Sequence, residues 1–130
     1  MSDPQKELYR ALYMISHRRT GSGFEEMAAG YLAGKGYRIL ERNYYTRAGE
    51  LDILARSPEQ VLVAVEVKYR RTDRFGDPAE AVDHQKKRHM ARAFSLYLAS
   101  HPQEGDVRFD VIAITGGKIC HIENAFAWNG

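Results

Sequence analysis

The stretch from Gly49 to Lys68 constrains this chain more than any other. It reads GELDILARSPEQVLVAVEVK. Two apolar runs, LDILA and VLVAVEV, flank the short polar connection SPEQ. Apolar runs joined so tightly are expected to fold back on each other as antiparallel strands. Each run carries an acid where a hydrophobe would be expected, Asp52 in the first and Glu66 in the second. In a strand, residues i and i+2 point to the same face. Glu66 and Lys68 therefore share a side with Leu62 and Ala64, while Val61, Val63, Val65 and Val67 take the other. A carboxylate inside a buried strand is costly unless it is paired or holds a metal.

The rest of the chain supplies elements to cover such a hairpin. Residues 4–15 have apolar side chains at helical spacing (Leu8, Ala11, Leu12, Ile15), with Asp3 and Pro4 suited to a helix start. His17-Arg18-Arg19 follows, either a phosphate contact or a solvated helix end. Residues 23–35 predict a second helix, with Ser22 as its cap and Phe24, Ala28, Tyr31 and Leu32 as its core stripe. Glu25 flanks that stripe and is the better placed of two adjacent acids to face a sheet; Glu26 projects away. Its position also suits a carboxylate that merely complements the helix dipole.

Strands are expected at 37–44, 50–56 and 61–69, with Glu50, Asp52 and Leu54 on one face of the second. A turn is expected at 45–48. Asp77-Pro78 marks the start of a long helix over about 79–99, with Val82, Lys86, Met90, Ala93, Phe94 and Tyr97 on one stripe and His84, Arg88 and Arg92 on another side. A strand at 107–115, a Gly116-Gly117 turn and a short strand at 118–123 complete the chain. Alternation of strands and helices in this order predicts an α/β fold around a mixed sheet. The crossover from the third strand to the fourth is expected to be parallel and right-handed.

Composition bounds the function. A chain of 130 residues, 44% hydrophobic and 28% charged, fits one ordered domain rather than a disordered segment. A formal charge of +2 does not by itself announce a nucleic-acid binder. One cysteine, Cys120, rules out an internal disulfide and suits a reducing cytoplasm. The first nineteen residues are too charged for a secretory leader or a membrane span. The expectation is a cytoplasmic protein without membrane contact.

Asp52 and Glu66 on adjacent strands are placed to converge on one hard divalent cation. Mg²⁺ takes oxygen ligands, keeps several waters, and is commonly held by one or two carboxylates plus substrate phosphate. The Val67 carbonyl is the expected third oxygen, and Glu25 completes the set directly or through water. A cation there would polarise a phosphodiester and acidify a bound water. Lys68 would orient that water, take its proton, or stabilise charge on phosphorus. Arg70, Arg71, Arg74, Lys87, Arg88 and Arg92 would contact phosphates. Asp110 is a second acid in an apolar strand, ranked below Asp52 because it has no acid–lysine pair beside it. The five histidines show no ligand spacing and are expected at the surface; Cys120 is expected to be buried.

An acid in one strand followed by E-x-K in the next resembles the PD-(D/E)xK nuclease superfamily, whose members share a restriction-endonuclease-like core. Here the pattern is Asp52, then Glu66-Val67-Lys68. The longer run is more specific: E-x-x-A-x-x-Y-L at 25–32, G-Y-x-I-L-x-R-N at 36–43, G-E-L-D at 49–52, V-E-V-K at 65–68, E-A-V-x-x-x-K at 80–86 and R-F-D-V at 108–111. Together these resemble the YraN-like family of endonuclease-like bacterial proteins, distantly similar to Holliday-junction resolvases. The resemblance covers about residues 23–126. It implies nuclease positions at Glu25, Asp52, Glu66 and Lys68, and a phosphate contact at Lys86. It further implies an endonuclease-like domain over 22–130, behind an N-terminal helical extension over 1–21. Leu51 stands where the broad superfamily has proline, and Phe24 where the family usually has glycine.

Two functions are expected from this. One is a Mg²⁺- or Mn²⁺-dependent endonuclease on DNA, with branched or structured DNA as the substrate class and a homodimer as the working form. The other is a nucleic-acid-binding or assembly protein that keeps the fold without turnover, since fold does not dictate function.

Overall fold

The structure, a computed structural model, describes residues 22–70 and 83–127. In chain order these form α1 (Ser22–Gly34), β1 (Arg38–Thr46), β2 (Gly49–Arg56), β3 (Leu62–Arg70), α2 (His84–Ser100), β4 (Val107–Thr115) and β5 (Lys118–Phe126). The expected helix at 4–15, the basic triplet at 17–19, the Asp77-Pro78 start, Arg71 and Arg74 lie outside the described residues.

The sheet has five strands in sequence order, β1 to β5. β1–β2, β2–β3 and β4–β5 pair antiparallel, and β3–β4 pair parallel. The mixed sheet is therefore the expected one, and the parallel pair sits where α2 intervenes. Among the described residues each face carries one helix. On one face Met27, Ala28 and Leu32 of α1 meet Ile53, Ala55, Val63, Val65, Ile112 and Ile114. On the other, Met90, Ala93, Phe94 and Tyr97 of α2 meet Leu54, Leu62, Ala64, Phe109 and Val111. A strand covered on both faces must be apolar on both faces, which explains the unbroken apolar runs in β3 and β4.

Several boundaries differ from the expected ones, each for a local reason. α1 begins at Ser22 itself. Met27, absent from the expected stripe, is fully buried, while Phe24 and Tyr31 are only partly covered at its margin. The β1–β2 turn is only Arg47-Ala48, because Thr46 Oγ1 accepts the N–H groups of Ala48 and Gly49 and draws the strands together early. Within the described residues the long helix starts at His84. Asp83 is its N-cap: its backbone is extended, and its Oδ1 accepts the Lys86 N–H at 2.8 Å, so no continuous helix runs from 79. β5 extends to Phe126, whose ring stacks on Phe109 at 4.6 Å between centroids. Among the described residues no helix is long and apolar enough to cross a membrane.

The alternation of β2 fails at Asp52. Leu51 and Leu54 both belong to the α2-side core, whereas Ile53 and Ala55 belong to the α1 side. Strict alternation would put Leu51 with Ile53. Opposite Asp52, Asn43 has φ +52°, and the β1–β2 ladder pairs Arg42 with Ile53 and Tyr44 with Leu51 but skips this residue pair. On the other flank, the β2–β3 ladder pairs Ile53 with Val65 and goes no further toward Glu66. Asp52 thus sits where the sheet opens on both sides of β2.

Candidate active site

The opening of the sheet leaves the Val67 N–H without a ladder partner on β2. The Asp52 side chain takes it instead, Oδ2 accepting at 2.9 Å. That hydrogen bond fixes the carboxylate beside β3. The described contact of Val67 is thus through its N–H, where the sequence points to its carbonyl.

Three carboxylates meet here. Oxygens of Glu25 on α1 and of Glu50 and Asp52 on β2 lie within 4.8 Å of one another. Glu25 reaches the group from the first turn of α1 and hydrogen-bonds the Asn43 side chain. Glu26 points away and pairs with Arg42 at 3.4 Å. Glu50 was not singled out as a site residue by its sequence context. Regular alternation puts it on one face with Asp52 and Leu54, and nothing in the pattern marks it as a partner of Glu25. The signal available was the pair of acids flanking Leu51. The turn holds Glu50 in place: Gly49 has φ +145°, which side-chain-bearing residues rarely adopt, and a Cβ there would lie 3.5 Å from the His89 Cβ on α2.

Glu66 stands on the α2 side of this group. Its side chain is 4% exposed; Oε1 faces Lys68 Nζ at 3.5 Å and Oε2 faces Lys86 Nζ at 3.7 Å. Oε2 has no hydrogen bond, since 3.7 Å exceeds hydrogen-bonding range. Lys86, expected at a phosphate, is turned into the site by the first turn of α2.

The electrostatics reflect crowding of like charge. Burial, then the neighbouring Asp52 carboxylate, push Glu66 up to about 7, against the pull of Lys86 and Lys68. Burial and then Asp52 also raise Glu25 and Glu50, with Glu50 adding to the rise at Glu25. Asp52 appears in all three, so it is the centre of the repulsion. A cluster of carboxylates with raised affinity for protons is one that a cation relieves. The donors are all hard oxygens, which suits Mg²⁺ or Mn²⁺ and not a soft ion.

The structure thus brings Glu25, Asp52, Glu66 and Lys68 to one place, and adds Glu50 and Lys86. The expected phosphate contacts scatter more widely. Arg70 ends β3; Arg88 and Arg92 are exposed on the outer side of α2. Lys87 lies over the Phe126 ring at 5.5 Å. A cleft of about 500 Å³ is lined by Arg92 and by Arg47, which the sequence did not mark.

Asp110 has a different setting. It is fully buried. Its oxygens accept from Arg108 at 2.8 and 2.9 Å, contact His121 Nε2 at 2.7 Å, and accept the Asn124 N–H at 3.0 Å. Burial alone would raise its pKa; the bonds from His121, Arg108 and Asn124 outweigh that and hold it below the ordinary range. Such a saturated acid has no lone pairs to offer a cation, which separates it from Asp52. His121 is correspondingly not at the surface: its side chain is 3% exposed, because Asp110 and the rings of Tyr31 and Tyr37 enclose it. Cys120 is exposed, since it faces away from α1 and lies beyond the cover of α2.

The chain matches the family described as "Uncharacterised protein family UPF0102" over residues 24–114. Relatives include a UPF0102 protein of Pelobacter propionicus, 49% identical over 117 residues (85% of this chain, 84% of the relative). A UPF0102 protein of Syntrophomonas wolfei is 47% identical over 115 residues (85% and 99%), and one of Thermodesulfovibrio yellowstonii is 43% identical over 106 (82% and 94%). On that match and those identities, the chain belongs to the UPF0102 family.

Proposed function

We propose that this chain is a cytoplasmic, Mg²⁺- or Mn²⁺-dependent endonuclease that hydrolyses a phosphodiester bond of DNA, with branched or structured DNA as its substrate class. One observation carries the reading: Glu25, Glu50 and Asp52 converge within 4.8 Å, and the Glu66 carboxylate beside Asp52 is flanked by two ammonium groups. Glu25, Glu50 and Asp52 would hold the cation, with Glu66 adjacent. When bound, the cation would supply Lewis acidity toward a phosphoryl oxygen and a more acidic water. Lys68 and Lys86 neutralise Glu66 when nothing else does. Drawn to a phosphate, either ammonium would stabilise charge developing on phosphorus.

The test is cleavage of linear, nicked, flapped and four-way DNA by purified protein with Mn²⁺ or Mg²⁺. The expected result is cleavage by the wild type and a loss of about 100-fold or more in Asp52→Asn. Metal-dependent DNA binding without cleavage of any substrate would replace this reading with that of a binding or assembly protein.

A further inference from the structure

Among the described residues two large apolar side chains are exposed, Tyr45 at 75% and Tyr69 at 43%. Single apolar side chains at a surface are ordinary, so position decides what these two mean. Both flank the acid cluster, one on each side of the strand that carries Glu50 and Asp52.

Tyr45 is the β1 partner of Glu50 in the antiparallel ladder. Paired residues project to the same side of a sheet, with Cβ atoms about 5 Å apart. Tyr44 packs against the α2-side core, so Tyr45, the next residue, faces the α1 side. Tyr69 comes from β3. It lies two residues beyond Val67, whose N–H is accepted by Asp52 and whose side chain packs on the α1-side core. The Tyr69 ring stacks on Phe24, the residue before Glu25, with centroids 4.2 Å apart and planes 14° apart. Both tyrosines therefore stand on the side from which Glu25 reaches the cluster. Tyr45 is on the first strand, the acids are on the second and Tyr69 is on the third. Three neighbouring strands span about 10 Å.

We propose that Tyr45 and Tyr69 are stacking platforms for unpaired nucleobases on either side of the phosphate bound at the acid cluster. The site then takes DNA whose strand is single or splayed at the bond to be cut. This rests on the endonuclease reading and narrows its substrate. A base stacks on an aromatic ring through its face, whatever its sequence. In an intact duplex those faces are taken by neighbouring bases, and freeing them costs energy that an already unpaired strand does not pay. Two rings about 10 Å apart, with a phosphate site between them, cannot enter a stack whose bases follow every 3.4 Å or so. They match successive bases that have swung apart. Tyr69 is held for this role. Phe24 supports one face of its ring, and the residue keeps 43% of its surface exposed. A ring already fixed loses little freedom when a base settles on it. Tyrosine also suits a ring that waits in water, since its hydroxyl stays solvated while its face is apolar.

The test measures binding of three fluorescent DNAs of one length, a single strand, a flapped duplex and a blunt duplex, with Ca²⁺ in place of Mg²⁺. Cleavage of the same DNAs is followed with Mn²⁺. The wild type is expected to bind the single strand and the flap more tightly than the duplex. Tyr45→Ala is expected to weaken binding of both about fivefold or more, the lower end for one base–aromatic stack, and to leave duplex affinity unchanged. Tyr45→Phe is expected to behave as the wild type. Tyr69→Leu, which keeps an apolar side chain against Phe24, is expected to act as Tyr45→Ala does. Tyr45 is largely exposed, so Tyr45→Ala decides the matter even where Tyr69→Leu loosens α1. Unchanged affinity for the flap in Tyr45→Ala, or an equal loss on flap and duplex, would overturn the platforms; cleavage by the wild type would keep the endonuclease reading standing. Failure of the wild type to bind any of the three DNAs would overturn both.

Discussion

Asp52 and Glu50 stand one residue apart on β2, and both contribute oxygens to the same group. Their i, i+2 spacing puts both on one face of the strand, and the alternation breaks only beyond Asp52, where Ile53 joins the α1-side core. Asp52→Asn and Glu50→Gln should each weaken Mn²⁺ binding by at least the roughly 10–100-fold that loss of an outer-shell partner costs at a metal site. Titration calorimetry on the folded variants would measure it; equal affinity in Glu50→Gln would remove Glu50 from the ligand set. Glu66 makes a separate prediction. Its value in the folded protein, about 7, lies above that of the unfolded chain, so folding favours its protonated form. This contribution is whole below about pH 4.5 and is lost as pH rises through about 7. The rise from 4.5 to about 7 corresponds to about 3 kcal/mol at most. In chelator, urea midpoints of the wild type should fall between pH 5 and pH 8 from this source, and Glu66→Gln should show a smaller fall. Lys68 and Lys86 were legible to different degrees. Lys68 follows from i+2 spacing on a strand, whereas Lys86 reaches Glu66 only because α2 lies back across the sheet.

At the level of elements, the two buried aspartates sit at matching irregularities. Asp52 faces Asn43, with φ +52°, at a break in the β1–β2 ladder. Asp110 binds the N–H of Asn124, with φ +54°, at a register shift in the β4–β5 ladder. In each case a short carboxylate takes a backbone N–H that the sheet has released. The outcomes differ because β5 supplies His121 and β4 supplies Arg108, which saturate Asp110. Asp110→Asn should therefore destabilise the fold, by about 3–5 kcal/mol, since it strands the Arg108 charge in a largely buried setting. Chemical denaturation would show it. A loss below about 1 kcal/mol would mean that Arg108 finds another partner in Tyr37 and Glu123. Within the run VRFDVIAIT the one local sign that separates Asp110 from Asp52 is Arg108, two residues before it on the same strand face; the other saturating partners come from 11 and 14 residues further on.

For the whole molecule, the sheet runs in sequence order and, among the described residues, carries one helix on each face. A four-way junction presents two equivalent strands to be cut, and a twofold protein matches that symmetry. The expected outcome is therefore a dimer by light scattering when the junction is bound; one chain per junction at saturation would count against it. The sequence by itself determined the strands, their pairing sense and the two apolar faces, because period-2 burial, turn residues and short connections are local properties of the chain. It also determined that Asp52, Glu66 and Lys68 share a neighbourhood, since they lie on consecutive strands of one hairpin. Only the tertiary structure decided that Glu50 joins Glu25 and Asp52, that Lys86 faces Glu66, and that His121 is buried against Asp110. Each of those depends on how far a ladder stays in register, or on where a helix crosses a sheet, and such distances are set by packing between segments far apart in the chain.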